Sequence, residues 1–264
     1  MSETSKITID ARGIATLTMC RGEMHNAFDD TMIADLTAKL KQLEEDNSVR
    51  VVVLAAEGKS FSAGADLNWM KRMAGYSYEE NFEDAMGLGG LLETLNFLKK
   101  PTIAKVQGAA FGGGVGLVAA CDMAVGSEYA SFCLSEVKLG LIPAVISPYV
   151  VGAMGQRASR RYMLTAERFK ADEALRFGLL HDVVGADELD GAVEKLIESL
   201  LTNGPASVAA CKDLIFAVYN RPVDETVIKD TAQRIAKQRA SEEGKEGLGA
   251  FLEKRKPAWV KGKN

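Results

Sequence analysis

The sequence predicts an α/β fold that gives way to an all-helical C-terminal part. Three observations carry this. Short apolar runs rich in β-branched residues, such as Val51-Val52-Val53-Leu54, recur through the first two-thirds of the 264 residues. Stretches with apolar residues at three- and four-residue spacing alternate with them, the pattern of a mixed α/β protein. From Arg157 onward helical periodicity dominates.

In chain order, Ile7–Asp10 and Ile14–Met19 flank the turn-like Ala11-Arg12-Gly13 and read as a hairpin. Phe28, Met32, Ile33, Leu36, Leu40 and Leu43 fall at helical spacing, and Val51–Leu54 reads as a short buried strand. Glu79 to Lys100 reads as a helix, Ile103–Gln107 as a strand, and Gly113–Cys121 as a tightly packed helix. Asp122–Val125 and Phe132–Leu134 are strands again. Asp187 is placed to cap a helix carrying Leu189, Val193, Leu196, Ile197 and Leu200. Pro205 stands at a first helical position after Gly204, and helices continue through Cys211 and Ile215 and from Asp224 to about Lys254. The division expected is an α/β core over 1–195 and a helical region over 196–264, with no clean repeat and no low-complexity segment.

Composition bounds the function. Apolar residues make up 47% and charged residues 26%, as in an ordinary globular protein. The net charge of −4, with a pI near 5.5, leaves no basic surplus to neutralise a phosphate backbone, which argues against nucleic acid as the partner. The opening MSETSK has neither the apolar stretch of a secretion signal nor the Arg-rich character of a transit peptide. The charge-free stretch Gly108–Cys121 is too short and too Gly-rich to span a bilayer. A cytoplasmic protein with no membrane segment is expected. The four cysteines are scattered and the histidines number two, so metal-ligand spacing is absent and buried free thiols are expected.

Two segments carry chemistry. In Ser60-Phe61-Ser62-Ala63-Gly64-Ala65-Asp66-Leu67, small side chains let a ligand approach the main chain, and Asp66 is placed to cap the next helix. In Gln107-Gly108-Ala109-Ala110-Phe111-Gly112-Gly113-Gly114-Val115-Gly116, glycines crowd a helix start and expose N–H donors to an anionic group. The spacing matches neither a dinucleotide fingerprint nor a phosphate-binding loop.

Together these segments resemble the two signature blocks of the enoyl-CoA hydratase (crotonase) family. The resemblance spans nearly the whole chain: Thr16-Leu17-Thr18, Met24-His25-Asn26-Ala27-Phe28, Val51–Leu54, Phe61–Leu67, Val106–Asp122 and Phe251-Leu252-Glu253-Lys254-Arg255. It implies a spiral of ββα turns with a C-terminal helical trimerisation region, assembling as a homotrimer or a dimer of trimers. It implies an acyl-CoA thioester as substrate, with CoA as part of that substrate and no separate cofactor. It also implies that the N–H groups of Ala65 and Gly113 hold the thioester oxygen. Further contacts are implied at Ala63, Asp66 and Leu67 near the adenine end, at Phe251 and Lys254 with the nucleotide across a subunit boundary, and at Met24 along the pantetheine path. Trp69, Met70 and Phe111 are candidates to line the acyl pocket.

Family hydratases commonly use two glutamates. The second matches Glu136 in Phe132-Cys133-Leu134-Ser135-Glu136, whereas the first falls on Gly116. With one carboxyl group, Glu136 takes both the water proton and its delivery to Cα, and burial would tune it for that shuttle. Gly64–Ala74 and Leu141–Pro148 are similar to bacterial methylglutaconyl-CoA hydratases, a subgroup that also carries Gly at the first-glutamate position. The function expected is syn hydration of a branched enoyl-CoA, 3-methylglutaconyl-CoA first. Isohexenylglutaconyl-CoA hydration, double-bond isomerisation through Glu136 alone, and RNA binding stay open as alternatives. Lys71, Arg72 and Arg157 are candidates for a distal substrate carboxylate.

Overall fold

The computed structural model describes residues 4–260. The predicted hairpin is strands β1 (Ser5–Ile9) and β2 (Ile14–Met19), paired antiparallel. Helix α1 (Asp30–Glu45) follows, started by Asp29, whose side chain accepts from the Met32 N–H. Phe28, expected within this helix, precedes it and forms a parallel bridge with Ala65 instead.

Three ββα units then succeed one another. The first is β3 (Val51–Ala56), β4 (Ser60–Ser62) and α3 (Tyr78–Asn96), with the short helix α2 (Leu67–Met73) between them. The second is β5 (Thr102–Val106), β6 (Ala109–Phe111) and α4 (Gly113–Ala120). The third is β7 (Met123–Ser127), β8 (Ser131–Cys133) and α5 (Ser147–Thr165). The first strand of each unit joins a six-stranded sheet with β1, β2 and β10 (Asp182–Val184). The second joins a four-stranded sheet completed by β9 (Phe169–Lys170), which leads into helix α6 (Ala171–Arg176). The α/β spiral and its helical C-terminal part are as the sequence predicts.

The larger sheet is buried on both faces, which is why β3 reads as an unbroken apolar run. Val52 and Leu54 face the main core with Leu17, Ala104, Phe132 and Leu92. Val51 and Val53 face the other way, with Ile14, Ile103 and Val125, against Leu189, Val193 and Ile197 of α7 (Leu189–Leu201). Residue 195, the limit expected for the core, therefore lies inside a helix that packs on the sheet. Beyond it run α8 (Pro205–Val218), α9 (Glu225–Ala240) and α10 (Glu242–Leu252). Helix α8 is tied to the core by Lys212 Nζ donating to Asp122 Oδ2 at 2.8 Å and by Phe216 against Phe97, ring centres 4.8 Å apart.

Several expectations are corrected. Strands do not stop at two-thirds of the chain: β10 pairs in parallel with β7, and at three residues it is too short to show a period. Asp187 does not cap α7; it sits in a 3₁₀ turn (Ala186–Glu188), and the residue before the helix is Glu188, with no side-chain cap. The helix from Asp224 is broken at Ser241, whose hydroxyl accepts from Gly244 N–H and starts α10. Of the thiols expected to be buried, Cys211 is exposed. Among the described residues no helix is long and apolar enough to cross a membrane.

Candidate active site

Strands β4, β6 and β8 lie side by side and parallel in the smaller sheet, so their C-terminal ends share one edge. The three sequence segments with chemistry leave from that edge. Ala63-Gly64-Ala65 follows β4, Gly112-Gly113 follows β6, and Ser135-Glu136 follows β8. Strand pairing thus brings together Ala65, Gly113 and Glu136, which are 23 to 71 positions apart in sequence.

The loop after β4 is held from both sides. Phe28 N–H donates to Gly64 O and Asp66 N–H donates to Phe28 O, both at 2.7 Å, which fixes the peptides around Ala65. Gly64 adopts φ +90°, and a Cβ there would stand 3.1 Å from Phe111 O, so glycine meets both a conformational and a spatial demand. Asp66 caps α2, its carboxylate accepting from the N–H groups of Asn68 and Trp69 at 2.8 and 3.2 Å. Arg21 reaches the same carboxylate at 3.3 Å and that of Asp29, the α1 cap, at 2.6 Å. One half-buried guanidinium therefore joins the two helix starts that flank the loop.

The loop after β6 abuts it. Gly112 has φ +50° and donates its N–H to Cys133 O at 2.9 Å. Gly113 is the first residue of α4, where N–H groups lack intrahelical partners. Among the described residues neither Ala65 N–H nor Gly113 N–H donates to a protein acceptor, and Ala65 is exposed. Two free backbone donors thus leave adjacent loops whose glycines are in contact.

Glu136 opens a 3₁₀ turn (Glu136–Leu139) and leans on the second loop: a Cβ at Gly112 would stand 3.2 Å from its Oε1. Its Oε2 is buried with no hydrogen-bond partner. Burial pushes the carboxyl above the ordinary carboxylate range, opposed by a hydrogen bond from its own backbone N–H. A buried carboxyl with a spare oxygen beside two free N–H donors is equipped to shuttle a proton at a carbon next to a polarised carbonyl.

The remaining sequence candidates divide. Ala63 and Asp66 already donate their N–H groups, to His25 O and Phe28 O, and the Asp66 carbonyl accepts from Met70 N–H at 2.9 Å. Leu67 is 73% exposed at the start of α2, Met70 is half-buried, and Trp69 is buried in the core with its indole N–H on Asp84 Oδ1 at 2.9 Å. Phe111 carries Arg168 over its ring at 4.8 Å. Met24 is partly exposed and its sulfur accepts from Arg21. Phe251 is 80% exposed at the end of α10, and Lys254 follows it with φ +55°. Of the distal-carboxylate candidates, Arg72 donates to Asp30 at 2.6 Å, Lys71 is exposed, and Arg157 lies on a groove along α5 with Arg160, Arg161 and Arg176. Sequence reading gave no role to Arg21 or to buried Asn26, whose amide donates to Glu57 O and Ser60 O and pins the loop before β4. Neither contact has a periodic or compositional signal.

Gly116, which holds the position of the first glutamate of many family hydratases, is closed off. A Cβ there would come 2.4 Å from Ile146 Cγ2 and 3.5 Å from Leu92 Cδ2. No second carboxyl group faces Glu136 from this position.

Comparison with known proteins agrees with the geometry. Residues 10–262 match the family model described as enoyl-CoA hydratase/isomerase. A short-chain-enoyl-CoA hydratase of Clostridium acetobutylicum is 30% identical, the match covering 96% of this chain and 97% of that protein. A carnitinyl-CoA dehydratase of Salmonella agona is 33% identical, over 89% of this chain and 90% of that one. Among solved structures, an enoyl-CoA hydratase from Shewanella pealeana is 49% identical, with a TM-score of 0.94 and coverage of 97% and 96%.

Proposed function

We propose, because this chain belongs to the enoyl-CoA hydratase/isomerase (crotonase) family, that it adds water syn across the double bond of a branched enoyl-CoA, 3-methylglutaconyl-CoA giving 3-hydroxy-3-methylglutaryl-CoA. The observation that carries the reading is the pair of unoccupied N–H donors, Ala65 and Gly113, on the loops against which Glu136 leans with its Oε2 buried and unpartnered.

The thioester oxygen sits between the two N–H groups. Addition at Cβ moves charge onto that oxygen, and fixed backbone donors stabilise it without reorganising; one such donor is worth about 3 kcal/mol. Glu136 takes a proton from water as its oxygen bonds to Cβ, then gives that proton to Cα on the same face. The carboxylate is regenerated and one water has been added. CoA arrives as part of the substrate, and the chemistry asks for no further cofactor.

The branched substrate is favoured by similarity of Gly64–Ala74 and Leu141–Pro148 to methylglutaconyl-CoA hydratases, and by Gly116 in place of a first glutamate. Isohexenylglutaconyl-CoA is a second substrate of the same chemical type. A single carboxyl also suits double-bond isomerisation, which needs no water. Assembly as a trimer or dimer of trimers is supported by the apolar side chains that α8, α9 and α10 leave exposed, including Ile215, Tyr219, Ile228, Leu248, Phe251 and Leu252.

The test is a substrate panel. Steady-state kcat/KM is measured for 3-methylglutaconyl-CoA, isohexenylglutaconyl-CoA and linear crotonyl-CoA. A preference of at least tenfold for 3-methylglutaconyl-CoA, about 1.4 kcal/mol, supports the assignment. Preference for crotonyl-CoA overturns the branched-substrate reading.

A further inference from the structure

Gly112, at the N-cap of α4, and Gly116, whose N–H donates to Gly112 O at 3.3 Å, stand one helical turn apart. Two side chains from the segment between β8 and α5 lie against these glycines. Glu136 covers Gly112, with Oε1 3.2 Å from the site of a Cβ. Ile146 covers Gly116, with Cγ2 2.4 Å and Cβ 2.9 Å from the corresponding site, closer than any side chain there would allow. Ile146 is buried and packs in the main core. The carboxyl of Glu136 thus rests on the residue that starts α4, and the branched side chain of Ile146 on the residue one turn further along it.

We propose that Ile146 is a positioning residue: seated on Gly116, it closes the flank of the Glu136 carboxyl, holds it against Gly112, and excludes all water except the one that reacts. The inference rests on Glu136 as the proton carrier, and it explains how one carboxyl group serves a site that lacks a second. An empty space at Gly116 would admit water to the unpartnered Oε2. A branched apolar side chain fills that space and offers the oxygen nothing.

Titratable and charged groups on the elements packed around this segment include Cys133 on β8, Lys138 in the 3₁₀ turn, Arg168 before β9, Asp66 on the β4 loop, Tyr149 on α5 and Glu93 on α3. Asp66 is held by Arg21, Cys133 and Glu136 act on one another electrostatically, and the largest cause of the upward displacement of Glu136 is burial.

The experiment titrates the Glu136 carboxyl directly, by carbon-13 glutamate NMR of the full-length protein, with Glu136→Gln identifying the signal. Ile146→Val, which keeps the branch, leaves the midpoint in place. Ile146→Ala and Ile146→Thr, which open the space or put a hydroxyl in it, lower the midpoint by on the order of one pH unit. Ile146→Thr is close in volume to Ile146→Val and reports on the proposal should Ile146→Ala fail to fold. An unchanged midpoint in folded Ile146→Thr or Ile146→Ala overturns the assignment. The readout needs no turnover. A shifted midpoint in a protein that hydrates no enoyl-CoA would leave Ile146 its role and reject the reaction, whereas an active enzyme with an unmoved midpoint would do the reverse.

Discussion

Glu136 and Gly112 are in mutual contact: the carboxylate oxygen Oε1 lies 3.2 Å from where a Gly112 side chain would begin. The glycine therefore serves two ends at once. Its φ of +50° turns the chain into α4, and its lack of a side chain leaves room for the carboxyl next to the Gly113 N–H.

Gly112→Ala strains the backbone and pushes the carboxyl aside. We expect kcat to fall by about 10²–10³, the scale for misplacing a transition-state contact, with a smaller change in KM. Steady-state kinetics on the purified variant, with circular dichroism to verify the fold, measures this.

Glu136→Gln removes the proposed proton carrier while keeping shape. The expected loss in kcat is roughly 10²–10⁴. Stability moves the other way. The native carboxyl titrates above its unfolded value, so its contribution to stability is complete below the unfolded pKa and is lost as pH rises through the native one. At neutral pH the amide variant is then at least as stable as the parent, which thermal unfolding checks.

The same displacement fixes the pH profile. As a base, Glu136 must be ionised, so kcat/KM falls on the acid side at a midpoint above the ordinary carboxylate value of about 4.3. A pH series of kcat/KM tests this, and a midpoint at or below that value would contradict it.

Gly116→Glu alone drives a side chain into Ile146, and overpacking of this kind costs about 1–3 kcal/mol. Adding Ile146→Ala makes room. The destabilisation of the double variant is expected to be less than the sum of the single changes, because the two residues touch. Urea unfolding of the four proteins in the cycle measures the coupling.

Arg21→Met cuts the link between Asp29 and Asp66 and leaves two acidic caps without their shared partner. Both carboxylates retain backbone N–H donors, so we expect a loss of about 1–3 kcal/mol in urea unfolding and a fall in kcat as the Ala65 peptide loosens.

How far the sequence spoke depended on the range of the contact. Val51–Leu54 and the leucines of α1 announced themselves through local periodicity, and the segments Ser62–Ala65 and Gly112–Gly116 through their small residues. Asp66 was legible as a cap because capping is local. Arg21 on Asp66 spans 45 positions, and Ile146 on Gly116 spans 30, so these partners meet only after the strands have paired. Glu136 carried no local sign of the role proposed for it, to which only the family resemblance pointed; its contact with Gly112 arises where the β8 end meets the start of α4. Asp187 misled for a related reason, since a 3₁₀ turn moved the helix start beyond it.

The central claim is that Ala65, Gly113 and Glu136 add water across an enoyl thioester. Its most direct test is incubation of the purified protein with 3-methylglutaconyl-CoA in heavy-oxygen water, followed by mass spectrometry of the product. A hydrated thioester carrying one labelled oxygen is expected, with the label lost in Glu136→Gln. An unlabelled product, together with a shifted double bond when a 3-enoyl-CoA is supplied, would contradict it and make the enzyme an isomerase.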